Sequence, residues 1–323
     1  MAKSNKGEID ISVVVPIYNE EKVIPELYKR IREAVLKVST KYELIFVNDG
    51  SKDNSLLELL SLSEKDDRVF YINFSRNFGH QVAVTAGLDA CRGKAVIIMD
   101  GDLQDPPELI PLLHSKYQEG YEVVYAQRQE RDGEGFFKKS TASLFYRVLK
   151  RLTTIDIPLD TGDFRLIDRR VVDYLKQMPE QNKFLRGQIA WLGFKQTKVL
   201  YTRERRKYGK TGYSINKMMH FAMDGITGFS DTPLHIVTRS GFIISFFSFL
   251  IILYAFYSHF ILDSTITGWT SLMISSMFIG GIQLISIGII GEYISRMNKN
   301  ILNRPMYIIE RTNIDLQQES RKT

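Results

Sequence analysis

The sequence predicts an α/β protein: a mostly parallel, doubly wound sheet followed by two membrane-spanning helices. Three observations lead there. Short apolar runs alternate with amphipathic stretches from Ile11 to Ala126, the pattern of βαβ units. Several of those runs end in polar residues, as strands of open α/β sheets do where ligands bind. After Ser214, two stretches of about 20 residues carry no charge, long enough to cross a bilayer.

The first strand is expected at Ile11 to Val15, closed by Pro16. A helix follows, with apolar residues spaced through Val23, Leu27, Ile31, Val35 and Val38. Tyr42 to Val47 is the second strand, and Asn48, Asp49, Gly50 and Ser51 then turn the chain toward a helix from Asp53. The third strand, Val69 to Phe74, leads through SRNFGH to a helix over Gln81 to Cys91. The fourth strand is Ala95 to Met99, its helix runs from about Pro107 to Tyr117, and a fifth strand follows at Glu122 to Ala126. Tyr18, Asn19, Glu20, Asp49, Asp100 and Asp102 thereby fall on one edge of the sheet.

The fourth strand delivers the most informative residues. IIMDGDLQDPPEL places Asp100, Asp102 and Gln104 at a strand end before a proline-started helix. Magnesium and manganese take a few such hard oxygens and leave other positions to water and phosphate. Gly101 allows close backbone approach to a ligand. An acidic turn at a helix N-terminus would also satisfy the dipole. The strand-turn-helix context and Gln104 favour the metal reading.

Composition narrows the partners. A net charge of +6 suits an anionic leaflet or a phosphorylated substrate. No Lys/Arg tract carries interleaved aromatics, which argues against nucleic acid. The single cysteine, Cys91, excludes an intramolecular disulfide and a cysteine-rich zinc site, and reads as a small packing residue. The polar N-terminus predicts no cleavable signal peptide.

Beyond Gln127, RQERDGEGFFKK reads as a mobile charged loop, and a helix is expected from Ser140 to Leu152. LDTGDFRLIDRR sets Asp160, Asp163 and Arg165 beside a short strand-like run, and Lys195 to Tyr201 is a further strand before the basic loop TRERRKYGKTG. Residues 1–213 therefore form the α/β sheet domain, 214–235 an amphipathic juxtamembrane helix, 236–295 the transmembrane hairpin and 296–323 a tail. The uncharged stretches are Gly241 to Leu262 and Ser271 to Gly291. Arg239 precedes the first, and Arg296, Lys299 and Arg304 follow the second, which puts both ends in the cytoplasm. Ser276, Gly280 and Gln283 suit helix packing in lipid, including between subunits of a homo-oligomer. Because the strands read here precede the spans, a chain ending after Phe229 is expected to fold and still bind its ligand.

VVVPIYNEE, VNDGSKDNS, SRNFGHQVAVTAGL, MDGDLQDPPE, TGDFRL, RKYGKTGYS and GEYISR…NRPMYII occur in order over nearly the whole chain. In these the sequence resembles family 2 glycosyltransferases of the Rossmann-like GT-A fold. The similarity is to their polyprenyl-phosphate branch, which includes dolichol-phosphate mannose synthases and bacterial undecaprenyl-phosphate glucosyltransferases. The resemblance implies inverting hexose transfer from UDP-glucose or a similar nucleotide sugar to a polyprenyl phosphate at the cytoplasmic membrane face. A GDP-mannose-dependent mannose synthase is the alternative, and a non-catalytic nucleotide-sugar-binding protein is the reading from another class.

Carried over residue by residue, Pro16, Tyr18, Glu20, Val47 and Asp49 surround the nucleotide. Asp100, Gly101, Asp102 and Gln104 meet diphosphate and Mg2+ or Mn2+, and Arg128 and Arg206 contact phosphate. Asp163 matches the family's proposed base, although it could equally position the acceptor or Arg165. Apart from the resemblance, the charged loop after the fifth strand leaves on the same edge as Asp102, so Lys138, Lys139 and Ser140 are assigned to the acceptor phosphate. One departure stands out: the branch's Gly-x-Ser-Lys-Tyr is replaced by Gly209, Lys210, Thr211, Gly212 and Tyr213. Gln188-Ile-Ala-Trp191 lacks the Arg of the Gln-x-x-Arg-Trp motif of processive synthases, which argues against that branch.

Overall fold

The first strand, β1 (Ile11–Ile17), is buried at every residue, and so are β2 (Tyr42–Asn48) and β3 (Val69–Phe74). Strands buried on both faces need helices on both faces, and the helices of the βαβ crossovers supply them. The computed structural model describes residues 8–129, 161–202, 230, 232–260 and 268–315.

The remaining strands are β4 (Ala95–Ile98), β5 (Val123–Arg128), β6 (Thr161–Asp168), β7 (Gln196–Tyr201) and β8 (Ile309–Thr312). They form one eight-stranded sheet in the order β7-β5-β6-β4-β1-β2-β3-β8. Alternate residues of β1 feed two cores, because successive side chains of a strand point to opposite faces. Val13 and Val15 pack with Leu27 and Ile31 of α1 (Ile24–Leu36), Leu59 of α2 (Ser55–Lys65) and Leu113 of α4 (Ile110–Gln118). Val14 packs in a second cluster with Ala83 and Val84 of α3 (His80–Ala90), Val172 of α5 (Arg169–Gln177) and Ile189 of α6 (Leu185–Trp191). Each fully buried valine, leucine or isoleucine contributes about 1.5–3 kcal/mol.

Three details differ from the sequence expectation. Pro16 does not close β1, which continues to Ile17. Pairing with β4 stops at Val14, so at Pro16 only β2 is alongside, and the missing N–H interrupts no two-sided ladder. Second, β6 is antiparallel and sits inside the sheet between β4 and β5. Third, the sheet does not end before the apolar helices, because β8 pairs antiparallel with β3. The strand is only four residues, IERT, with no apolar alternation to announce it.

By its contacts the chain divides into two units. Residues 1–146, 155–214 and 304–323 form one, and 147–154 with 215–303 the other. The second contains α7 (Thr232–Phe260) and α8 (Trp269–Leu302), both long and apolar enough to cross a membrane. Tyr293 donates from its hydroxyl to Ser230 O at 2.6 Å within that unit. The helix expected over 140–152, the basic loop and most of the juxtamembrane segment lie outside the described residues.

Candidate active site

The antiparallel placement of β6 builds the site. Its register against β4 runs from Ala95↔Asp168 to Ile98↔Arg165, so two residues further on Asp100 faces Asp163. His80, the first residue of α3, completes the group. Ligand atoms of His80, Asp100 and Asp163 lie within 4.8 Å of one another.

His80 Nε2 is 2.9 Å from Asp163 Oδ2 and 3.4 Å from Asp100 Oδ1, bridging the two acids. Arg186, on α6, donates through Nε to Asp163 Oδ1 at 2.7 Å. Gln81 donates through Nε2 to Asp163 Oδ2 at 3.2 Å and accepts from the Leu185 N–H at 3.1 Å, tying α3 to the start of α6. Buried Arg165 lies 3.8 Å from the same carboxylate and donates to Gly162 O. Burial pushes the Asp163 carboxyl up, but Arg186, His80 and Arg165 together hold it well below the usual carboxylate range. Burial also works against a charged His80, yet Asp163 and Asp100 raise its pKa to about 9. Asp100 goes the other way: burial, with Asp163, Asp105 and Asp102 nearby, lifts it to about 6 against the pull of His80. Burial lowers Arg165 to about 10.

Asp100 and Asp102 fit a divalent cation in one specific respect. Asp100 Oδ1 is buried and accepts no hydrogen bond, which a cation would remedy while restoring the ionised form. Asp163, already saturated by two arginines, a histidine and an amide, is the poorer ligand of the three. Asp102 accepts from the Gln104 N–H at 3.1 Å across its own turn. Gly101 serves the chain itself, since a Cβ there would stand 2.7 Å from Ile17 Cδ1 and 2.9 Å from Pro16 O.

On the neighbouring strand ends, Tyr18 is 44% exposed, whereas Pro16 and Val47 are buried. The Glu20 N–H donates to Ser55 Oγ at 3.0 Å. Asp49 is buried, and its carboxylate accepts from the N–H groups of Phe78 and Gly79 at 2.6 and 3.0 Å, which fixes the SRNFGH loop that presents His80. Arg128 donates from Nε to the Tyr201 hydroxyl at 3.3 Å, and that hydroxyl donates to Asp105. Arg206, Lys138, Lys139 and Ser140 lie outside the described residues.

Sequence reasoning missed His80, Gln81 and Arg186. His80 had a usable signal, because SRNFGH leaves the end of a strand as the Asp100 turn does. Arg186 had none, since KFLRGQIAW shows no pattern that separates it from the chain's other arginines.

Residues 12–175 match the family model for Glycosyl transferase family 2. The chain belongs to that family. Its relatives include the uncharacterized glycosyltransferase YkcC of Bacillus subtilis (strain 168), 51% identical over 94% of each chain. The SfII prophage-derived bactoprenol glucosyl transferase of Shigella flexneri is 40% identical over 94% of this chain and 98% of its own. The prophage bactoprenol glucosyl transferase homolog of Escherichia coli (strain K12) is 41% identical over 93% and 98%. Among solved structures, glucosyl-3-phosphoglycerate synthase from Mycobacterium tuberculosis superposes with a TM-score of 0.48 at 18% identity, covering 68% of this chain and 76% of that one. The matched residues run from β1 through β6 into α5, so the core of the sheet is that of a family 2 glycosyltransferase.

Proposed function

We propose that this glycosyltransferase moves a hexose from a nucleotide sugar, UDP-glucose or a close equivalent, to a polyprenyl phosphate at the cytoplasmic face of the plasma membrane. One observation carries the reading. Relatives named bactoprenol glucosyl transferases match over 93–94% of the chain, too much to leave out either apolar helix. An acceptor with a long isoprenoid tail calls for an enzyme held at the lipid surface, and two helices of spanning length supply the hold.

In this reading a phosphate oxygen of the acceptor attacks the anomeric carbon. The bond from that carbon to the donor's β-phosphate oxygen breaks, and the nucleoside diphosphate leaves. A phosphate monoester has a second pKa near ~6, so the nucleophile is largely ionised at pH 7 and needs no strong base. That agrees with Asp163, which is held ionised by its cations and is therefore a weak proton acceptor. Its role is to fix His80 and the guanidinium groups around the reacting centre. Asp100, Asp102 and Gln104 would hold Mg2+ or Mn2+, which neutralises the charge growing on a departing diphosphate. Arg128 and Arg206 add positive charge to the same phosphates. Lys138, Lys139 and Ser140 draw in the acceptor phosphate. Attack opposite the leaving group inverts the anomeric centre.

The test is to incubate membranes containing the protein with undecaprenyl phosphate and a panel of labelled nucleotide sugars. A β-linked, lipid-extractable glucosyl phosphate from UDP-glucose is expected. Label from GDP-mannose instead would make it a mannose synthase. Binding of nucleotide with no lipid product from any donor would overturn the transferase reading.

A further inference from the structure

The segment after the second apolar helix reaches the donor end of the sheet through a chain of side chains beside its backbone pairing with β3. Glu310, on β8, accepts from Asn73 Nδ2 at 2.9 Å. Asn73 Oδ1 accepts from Asn48 Nδ2 at 2.7 Å, and Asn48 Oδ1 accepts from the Ser51 hydroxyl at 2.5 Å. Ser51 Oγ in turn accepts from the Asn19 N–H at 2.9 Å. Asn48 and Asn73 are buried, at 1% and 4% exposure, whereas Glu310 is exposed, so water competes only at the outer end of the chain of bonds.

The chain has a direction. A carboxylate only accepts, so Glu310 dictates that Asn73 presents its NH2 toward β8 and its carbonyl inward. That orientation dictates the next amide, which dictates where the Ser51 proton points and leaves the serine oxygen to receive the Asn19 N–H. Each bond in such a chain strengthens the next. Asn19 depends on this support because it stands at φ 56°, a left-handed conformation that asparagine tolerates and few other residues adopt. Its own Oδ1 accepts from the Lys52 N–H at 2.8 Å, closing the PIYNEE and NDGS turns on each other.

The rest of the segment fastens the same strand. Asn313 accepts from the Tyr71 N–H at 2.8 Å and donates to Val69 O at 3.1 Å. Tyr307 stacks on Phe74 at 5.1 Å between ring centroids and donates to Asp89. The Ser75 N–H, where β3 enters the SRNFGH loop, donates to Ile308 O at 3.1 Å.

We propose that residues 307–313 are part of the donor-binding architecture, with Glu310 the positioning residue that sets the polarity of the relay and holds the Asn19 turn. Loss of β8 frees the edge of β3, the Asn19 turn and the start of the loop carrying Phe78, Gly79 and His80. A chain ending after Phe229 therefore lacks a working donor site, contrary to what the order of elements in the sequence suggests. The proposal rests on the nucleotide-sugar reading only for its kinetic arm.

The experiment compares full-length Glu310→Ala and Glu310→Gln with the wild-type enzyme. Glutamine still offers an oxygen to Asn73, whereas alanine does not. Glu310→Ala is expected to raise the KM for UDP-glucose about fivefold, the effect of losing roughly one hydrogen bond. The KM for undecaprenyl phosphate stays fixed, and Glu310→Gln restores most of the loss. Amide hydrogen exchange, read without any ligand, is expected to quicken at residues 19, 51–52 and 75–79 in Glu310→Ala and to revert in Glu310→Gln. Unchanged exchange at those amides overturns the relay whatever the enzyme's substrate. Faster exchange in a protein that turns over no nucleotide sugar keeps the relay and removes the functional reading instead. Equal weakening toward both substrates, with a lowered Tm and no rescue by glutamine, makes Glu310 merely structural and overturns the proposal.

Discussion

Arg186 Nε donates to Asp163 Oδ1 at 2.7 Å, so the carboxylate that faces Asp100 is ion-paired by the fold itself. With His80 on its other oxygen, Asp163 has little tendency to take up a proton. A proton-accepting base and a positioning carboxylate respond oppositely to loss of that arginine.

Replacing Arg186 with Ala removes the largest pull on Asp163 and raises its basicity. If Asp163 took the acceptor's proton, turnover at low pH, where the acceptor phosphate is protonated, would hold or improve. If it positions His80 and Arg165, kcat falls at every pH. We expect the fall, about 100-fold, in the range that loss of a preorganised charged group produces. The donor KM should change little, and Arg186→Lys should recover part of kcat. Steady-state kinetics of the two variants checks this.

Asp102→Asn should leave the unfolding free energy within about 0.5 kcal/mol of the wild type, because Asp102 is partly exposed and its contact to the Gln104 N–H survives in an amide. Transfer should nevertheless be abolished, since a neutral amide binds a hard cation far more weakly than a carboxylate does. Near-full metal-dependent turnover would remove Asp102 from the site.

How much of this was legible beforehand follows from how each strand is built. β1 to β4 carry continuous β-branched and aromatic runs, so their existence and the position of Asp100 at a strand end could be read directly. β6 could be seen as a strand-like run, but neither its direction nor its slot between β4 and β5 could, because TGDFRLID carries no mark of its partner. That slot is what brings Asp163 opposite Asp100. β8 was hidden for a different reason. IERT is short and mostly polar; Ile309 is its one apolar contact with the core, and Asn313 and Tyr307 on either side help to hold it. Asp49 was expected beside the nucleotide from resemblance; its side chain faces the Phe78 and Gly79 amides, a tertiary contact with no sequence signature.

Cys91 offers a check on the packing of α3. Its thiol is buried, donates to Leu88 O at 3.1 Å, and is pushed up to about 11 by burial. A folded pKa above the unfolded value means the protonated thiol favours the fold at all pH values below the unfolded pKa. That contribution is lost as pH rises through the folded value. The native protein at pH 8.5 should therefore resist iodoacetamide, and labelling should become rapid only on unfolding in denaturant. Mass spectrometry of the alkylated chain reads this; stoichiometric labelling of the native enzyme would contradict the packing.

The remaining prediction concerns the arginine at the end of β5. Arg128 Nε donates to the Tyr201 hydroxyl at 3.3 Å, and the hydroxyl passes its own proton toward buried Asp105. Gly162 of the TGD stretch closes the other side. A Cβ on it would lie 3.2 Å from Arg128 Nη2 and 3.3 Å from Asp105 Oδ2. Gly162 does not have a left-handed φ, so alanine there brings crowding without backbone strain. Both neighbours are side-chain ends that can move, so Gly162→Ala should fold and displace Arg128 by a few tenths of an ångström. Tyr201→Phe removes the oxygen that orients the same guanidinium, at a stability cost of about 1–2 kcal/mol. If Arg128 serves the donor's phosphates, each change should raise the KM for the nucleotide sugar several-fold and leave that for the polyprenyl phosphate unchanged. In an Arg128→Ala background neither should add anything further, because both act through the same guanidinium. Additive effects in that double-mutant cycle would show that Tyr201 and Gly162 serve the site by another route.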